Sequence, residues 1–483
     1  MYKQLIFQME RESVEKNYLP ELEFEEQPLQ ELLPESMRRS DAPDLPEVAE
    51  NEVVRHFVNI SNLNHHVDKG FYPLGSCTMK YNPKINEDVT AMPGFAGLHP
   101  MQPEKSVQGA LQIMYELQEI LKEISGMPGI TLQPAAGAHG ELTGCMMIRK
   151  YHLSRGENRT KMLVPDSAHG TNPASVAIAG MHSVTIKSTT EGLVDLDDLK
   201  SKLDDNVAGL MLTNPSTLGI FERQVSEISR LVHQAGGLMY MDGANLNALV
   251  GITRPGDMGF DVLHINLHKT FAVPHGGGGP GSGPVTVSGR LLDFLPVPVV
   301  GKKGERYFLD DEIPQSIGRM ITFYGNFAAL LRAYVYIRMH GPEGLKAISK
   351  NAIINANYLL KKIGHYLELP YKTRPMHEFV LSGEPLVRSH GVKTMDIAKR
   401  LLDYGVHAPT VYFPLVVKEA LMIEPTESES RQMLDYFAEV FGKVIEEAES
   451  NPAKIKEAPF TTPVRRVDDL RANKEQNVCF GCD

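Results

Sequence analysis

The chain has only four cysteines in 483 residues, Cys77, Cys145, Cys479 and Cys482. So few in so long a chain exclude a disulfide framework. No apolar run nears the ~18 residues of a membrane-spanning helix; LLDFLPVPVV is short and interrupted by proline. Basic residues are in the minority, 49 Lys and Arg against 60 Asp and Glu for a net charge of −11, and they form no dense stripe. That balance argues against non-specific nucleic-acid binding. The opening MYKQLIFQMERESVEK is charged where a secretory leader needs a continuous apolar segment. The expectation is a soluble, cytoplasmic protein, or one inside an organelle after loss of a targeting peptide. Internal repeats are absent as well. Cys479 and Cys482 make one CxxC near the C-terminus. Without a second ligand pair it is a weak zinc signal, beside the alternatives of a reducible thiol pair and an incidental tail.

What is present is the balance of a globular protein, 42% hydrophobic and 23% charged residues. The length implies two or three packed domains. Residues 1–104 read as an N-terminal arm, rich in Glu and Pro at its start (LPELEFEEQPLQELLPE) and without sustained period. From Glu104 to Ser125, Val107, Leu111, Met114, Leu117, Leu121 and Ile124 recur every three or four residues, an amphipathic helix ended by Gly126 and Pro128. Short apolar runs then alternate with helical stretches: GITLQP, KMLVP, SVTIKS, VAGLMLT, LMYMD and DVLHINLH as strands; AHGELTGCMMIRKYHL, NPASVAIAG, DLDDLKSKL and VSEISRLVHQAG as helices. This alternation predicts βα units and a mainly parallel sheet, an α/β large domain over residues 105–330. A long helical pattern, GLKAISKNAIINANYLLKKIGHYLEL, then leads into a smaller α+β C-terminal domain over residues 331–483, with HEFVLSG as a strand and TMDIAKRLLDYG as a helix.

Ligands of such sheets sit outside the carboxyl ends of the strands, and four features fall there. Pro134-Ala-Ala-Gly-Ala-His-Gly-Glu141 follows a strand and opens a helix. Its small residues expose N–H groups where the helix dipole favours an anion such as phosphate. His139 stands where its ring can lie over a planar cofactor, and a tight turn with a capping histidine is the plainer reading. Asp242, in MDGAN, ends an apolar strand. An acid there caps a loop, binds metal, or keeps a pyridinium nitrogen protonated and so strengthens a pyridoxal electron sink. Lys269, in HINLHK, follows 27 residues later, beside His268. An ammonium there is unfavourable unless paired; a Schiff base removes the difficulty, and a solvent-facing loop lysine is the alternative. The glycine-rich run from His275 to Pro284 either lets a ligand approach the backbone or is simply mobile. It lacks the lysine and Ser/Thr of a Walker loop, which disfavours nucleotide binding.

The order of these stations fits fold-type I pyridoxal enzymes. The stretches PAAGAHGE, DSAHGTNPASV, TNPSTLGIFE, MDGANLNA and HINLHKTFAVPHGGGGPGSGPV closely resemble the P-protein of the glycine cleavage system, a glycine decarboxylase. The likeness runs from FYPLGSCTMKYNP to RANKEQNVCFGCD. Its form is that of the C-terminal half of the long single-chain P-protein, or of the second subunit where the enzyme is split in two. The resemblance implies an aspartate-aminotransferase-like fold-type I transferase with pyridoxal 5′-phosphate covalently held on Lys269. Asp242 then pairs with the pyridine nitrogen, His139 stacks on the ring, and Gly137 and Ala138 give backbone donors to the phosphate. Asn214 reaches the ring oxygen, and His268, His169, Thr171 and Asn172 line the cavity; Asn214 and the last three also read as plain turn chemistry.

The resemblance further implies glycine as substrate and transfer of its aminomethyl group to the lipoyl group of the H-protein. It implies a partner too, P-protein subunit 1 (alpha), in an α2β2 assembly. Loops Tyr72–Tyr81 and His275–Gly283 are the expected walls of a channel for the lipoyl arm. Neither a metal nor a membrane is expected. An aminotransferase or another amino-acid decarboxylase shares the logic of Lys269 and Asp242 but not the polyglycine loop. A non-catalytic scaffold subunit has no need of Lys269.

Overall fold

The alternating runs build one seven-stranded sheet, from β1 (Gly129–Thr131), β2 (Lys161–Pro165), β3 (His182–Ile186), β4 (Val207–Thr213), β5 (Leu238–Gly243), β6 (Val262–Ile265) and β7 (Val285–Val287), in the order β1-β7-β6-β5-β4-β2-β3. This computed structural model describes residues 5–9, 23–25, 27–41, 45–46, 48–276 and 281–476. Strands β2 to β6 run parallel, while β7 runs antiparallel to both β6 and β1. That reversal was not foreseen. A parallel return to the sheet needs a long crossover, usually a helix, and the segment between Lys269 and Val285 carries none among its described residues.

Every residue of β4 is buried, as in a central strand covered on both faces. The side chains of β5 and β6 alternate between two cores. Met239, Met241, Leu263 and Ile265 join one, and Leu238, Tyr240 and Val262 the other. Parallel register sets Tyr240 beside Val262 and Asp242 beside His264. Helix Gly137–Ser154 packs over β6, β4 and β5, and helix Val225–Gln234 over β5 and β4. Outside this sheet, β8 (Val299–Lys303) and β9 (Arg306–Asp310) form a hairpin against helix Gln108–Ser125.

Helix Phe327–Ile363 starts in the core of the large sheet with Leu330 and Ala333 and ends in a second core with Ala356, Leu359 and Ile363. It kinks at Gly341, whose φ of 60° and ψ of −178° precede Pro342. The second core lies under a three-stranded antiparallel sheet of β10 (Phe379–Ser382), β11 (Thr410–Val411) and β12 (Ala420–Ile423), in the order β10-β12-β11. Because Phe379 pairs with Ile423, the flanking Glu378 and Glu424 fall at the same end of this sheet.

The described residues separate into two compact units, one of those up to His66 with Thr462–Val464, the other of Val67 to Thr461 and Arg465 onward. The first contains helix Glu50–Ser61, whose start is capped by Glu52 accepting from the Ala49 N–H at 2.8 Å. No described helix is long and apolar enough to cross a membrane. The Cys479–Cys482 motif lies outside the described residues.

Candidate active site

Asp242 closes β5 in full burial. Burial alone raises its pKa, but His264, His169, the Ala244 N–H and Lys269 outweigh that and hold it below the ordinary aspartate value. Its Oδ1 accepts from Ala244 N at 2.9 Å and lies 3.3 Å from His264 Nε2. His264 Nδ1 in turn meets the Tyr240 hydroxyl at 2.8 Å. Strand register therefore lines up Tyr240, His264 and Asp242 on one face. On the other side, Asn172, with its amide nitrogen turned to the carboxylates, donates to Asp242 Oδ2 at 3.2 Å and Glu141 Oε2 at 2.9 Å. Glu141 also accepts from the Thr171 hydroxyl at 3.1 Å and the Ser175 hydroxyl at 3.4 Å. Burial, then the nearby Asp242, push Glu141 up to about 8. Thr171 and Asn172, expected to line the cavity, thus bond the carboxylates beneath it.

Lys269 leaves β6 through the short helix Leu267–Thr270, and its Nζ donates to the Ser76 carbonyl at 2.8 Å. Ser76 comes from the GSCTMK stretch. Its hydroxyl meets His169 Nε2 at 2.9 Å, and His169 stacks on Phe413 with centroids 5.2 Å apart. Ser76 and Thr78, either side of Cys77, adopt left-handed backbone conformations with φ of 63° and 48°. Two buried glutamates hold them. Glu378 accepts from Ser76 N at 2.6 Å, and Glu424 accepts from Thr78 N at 2.9 Å and from its hydroxyl at 2.6 Å. Burial raises both carboxyls, Glu424 to about 7. His377, 3.9 Å from each, is fully buried with neither ring nitrogen bonded, and burial holds it neutral at about 3. Burial also raises the Cys77 thiol. Below Thr270, buried Lys80 pairs with Glu427 at 2.5 Å and donates to the Thr270 carbonyl at 2.9 Å.

The small-residue turn lies beside these strand ends. Gly137 is buried against the Asn266 side chain, where a Cβ would come within 2.8 Å of its amide nitrogen. Ala138 is exposed. His139 is half-buried, and its Nδ1 accepts from Ala135 N at 3.2 Å. Asn214 follows β4, its oxygen accepting from Glu222 N at 2.9 Å. His268 packs edge-on against His275 at 5.3 Å, and Gly281 approaches His268 so closely that a Cβ would stand 2.9 Å from Nδ1. Residues 277–280 of the polyglycine loop lie outside the described ones.

Thr213 Oγ1, Asn214 Nδ2, Thr270 Oγ1, Ser282 Oγ and His268 Nδ1 are all buried without a hydrogen-bond partner. Buried polar groups are nearly always paired. Five orphans around the ends of β4 and β6, next to an ionised Asp, a Lys and a helix N-terminus, fit a planar ligand with a cationic ring nitrogen, polar substituents and a phosphate.

Sequence reasoning missed Glu141, His264, Ser76, Glu378, Glu424 and His377. The first two stand inside PAAGAHGE and HINLHK, where strand parity with Asp242 was a usable signal for His264. The glutamates arrive from 302 and 346 residues away from their partners in the turn, and nothing local marks them.

Two family models match the chain, glycine cleavage system P-protein over residues 13–307 and glycine dehydrogenase, C-terminal domain, over residues 348–461. A probable glycine dehydrogenase (decarboxylating) subunit 2 of Pelodictyon phaeoclathratiforme is 61% identical over 479 residues, 99% of each chain. One from Caldanaerobacter subterraneus subsp. tengcongensis is 59% identical over 472 residues, 98% of this chain and 97% of the relative. Among solved structures, an inhibitor-bound glycine decarboxylase (P-protein) of the glycine cleavage system superposes with a TM-score of 0.69 at 21% identity, covering 86% of this chain and 94% of that one. Lactobacillus brevis glutamate decarboxylase gives 0.65 at 13% identity, covering 94% and 99%. The fold is that of the fold-type I pyridoxal-phosphate enzymes.

Proposed function

The chain belongs to the glycine cleavage system P-protein family, and we propose that its Lys269 covalently holds pyridoxal phosphate at the carboxyl ends of β4 to β6. As a glycine dehydrogenase (decarboxylating) subunit 2, it acts in the decarboxylation of glycine. The observation that carries the cofactor assignment is the ring of partnerless polar atoms around Lys269 and the buried, ionised Asp242.

Bound pyridoxal phosphate supplies a conjugated sink for the electron pair left on the substrate carbon when carbon dioxide departs. Asp242 holds a proton at the ring nitrogen, and His264 and Asn172 fix the carboxylate's orientation. The N–H groups of Gly137 and Ala138 bind the phosphate at the helix N-terminus. His139 packs on the ring, and the free Asn214 amide serves the ring oxygen. His169 and His268, neutral through burial, exclude water around the lysine without adding charge. The aminomethyl group would pass to the lipoyl group of the H-protein alongside the loop Tyr72–Tyr81. P-protein subunit 1 (alpha) completes the site in an α2β2 assembly, in the cytoplasm.

Pyridoxal phosphate added to the chain with its partner subunit should give an absorbance band that borohydride fixes as a stable mass on the Lys269 peptide. Lys269→Ala should abolish the band and Lys302→Ala keep it; survival in Lys269→Ala rejects the assignment. Carbon dioxide exchange into glycine should require lipoylated H-protein, whereas an aminotransferase turns over with a keto acid alone.

A further inference from the structure

A lysine that carries a cofactor must let go of it each time a substrate amine takes its place, and must stay within reach to return. Where the free amine waits is a structural question, and this molecule holds a specific acceptor for it. Lys269 Nζ donates to the carbonyl of Ser76 at 2.8 Å. That carbonyl belongs to a turn that the chain does not adopt for local reasons. Ser76 and Thr78 both have positive φ, which L residues with side chains avoid. Gly75 before them is wedged against Met422, where a Cβ would stand 2.3 Å from its Cγ. The Gly75 carbonyl also accepts from the Thr410 hydroxyl at 2.9 Å.

The conformation is imposed from outside by two acids. Glu378 precedes β10 and Glu424 follows β12, and the pairing of Phe379 with Ile423 brings them together. Each directs its oxygens at the turn. Glu378 takes Ser76 N at 2.6 Å and the Asn245 amide at 3.1 Å; Glu424 takes Thr78 N at 2.9 Å and its hydroxyl at 2.6 Å. Were either carboxylate to contact the lysine directly, it would hold the amine as a stable ammonium ion pair. The arrangement instead interposes a neutral carbonyl, which holds the amine in place with a weaker grip.

We propose that Glu378 and Glu424 are positioning residues for Lys269. Through the backbone N–H groups of Ser76 and Thr78 they lock the Ser76–Thr78 turn, so that the Ser76 carbonyl receives the amine of Lys269 whenever that amine is not bonded to the cofactor. The inference rests on the reading of Lys269 as the cofactor lysine.

The test uses the full chain, first free of cofactor. Trace acetylation with acetic anhydride, read by peptide mass spectrometry, compares Lys269 with the exposed Lys302. Glu378→Ala and Glu424→Ala should each raise relative labelling of Lys269 on the order of tenfold, the loss of one hydrogen bond to a charged donor. Glu378→Gln and Glu424→Gln keep an acceptor oxygen for the turn and should stay near the wild-type value. In the loaded enzyme with its partner subunit and lipoylated H-protein, the alanine variants should lower kcat by a similar factor, and the glutamine variants should retain it. Unchanged labelling in folded alanine variants overturns the proposal, as does raised labelling with unchanged kcat. If the alanine variants fail to fold, Glu424→Asp, which keeps an acid but draws it back from Thr78 N by one methylene, must itself raise labelling; no change there also overturns it. The labelling needs no cofactor, so its failure is distinct from failure of the cofactor assignment, which Lys269→Ala decides by absorbance.

Discussion

Removing Glu427 should be among the most damaging single changes to this protein's stability. Lys80 is buried to 2% side-chain exposure, and its ammonium lies 2.5 Å from Glu427, which is itself 9% exposed. Asn247 Oδ1 at 2.7 Å, the Thr270 carbonyl at 2.9 Å and the Tyr336 hydroxyl at 3.4 Å complete its shell. Burial pulls the pKa of Lys80 down, yet Glu427 and Tyr336 more than compensate and raise it. With an effective dielectric constant of about 20, two charges at this separation attract by roughly 7 kcal/mol. Glu427→Ala removes that attraction and leaves the ammonium with neutral acceptors only. The expected loss is therefore about 3–5 kcal/mol, the range for breaking a buried pair from one side. Urea unfolding followed by circular dichroism measures it, with the slope checked for constancy. The decisive comparison is Lys80→Met combined with Glu427→Leu. Removing both charges leaves no orphan, so the double variant should recover at least half of the loss. A single variant costing less than about 1 kcal/mol, or a double variant no better than the single, refutes the reasoning.

Asp242→Asn keeps the shape of the carboxylate but not its charge, and should lower kcat for glycine–carbon dioxide exchange by at least tenfold with the fold intact, as expected for losing a charged hydrogen bond; a change under threefold sinks the role given to Asp242. Gly144→Ala places a Cβ 2.2 Å from the Tyr240 ring, so it should destabilise by about 1–3 kcal/mol through overpacking and, by displacing the Tyr240–His264 contact, reduce cofactor binding measured by equilibrium dialysis. Stability should peak between about pH 4.5 and 6.5. Burial depresses His268 and His377 to about 3 and His275 to about 4 from 6.5, so their contribution is present above 6.5 and lost as pH falls toward those values. Glu141 and Glu424 are raised to about 8 and about 7 from 4.5, so theirs is present below 4.5 and lost as pH rises through 7 to 8. Unfolding midpoints across pH 4–9 check this, and Glu141→Gln should flatten the alkaline limb.

The parts of the molecule legible in the sequence are those whose signal is local. The βα alternation, the apolar strands ending at Asp242 and near Lys269, and the small-residue opening of helix Gly137–Ser154 all follow from patterns a few residues long. The helical pattern of GLKAISKNAIINANYLLKKIGHYLEL starts at Gly344, whereas the helix itself starts at Phe327, across Gly341-Pro342. In the structure that pair is a kink, bridged because Ile337 before it and Leu345 and Ile348 after it are buried in the same core. Strand β7 was hidden because three residues after a glycine run carry too little periodicity. The setting of Lys269 was illegible for a deeper reason. Glu378, Glu424 and Ser76 meet only through tertiary pairing of segments hundreds of residues apart, and a glutamate before or after a short strand looks like any solvent-facing charge.

The three-stranded sheet does more than supply those glutamates. Leu74 bridges to Ile423, and Glu424 N donates to the Pro73 carbonyl at 3.2 Å, so the stretch that reaches Lys269 is stitched to β12. Lys269 itself is anchored to the large sheet through β6. The 2.8 Å contact between them thus ties the smaller sheet to the larger one within a single compact unit. The position of the lysine's acceptor is therefore set by the register of β12, a strand of the other sheet, rather than by the strand that carries the lysine.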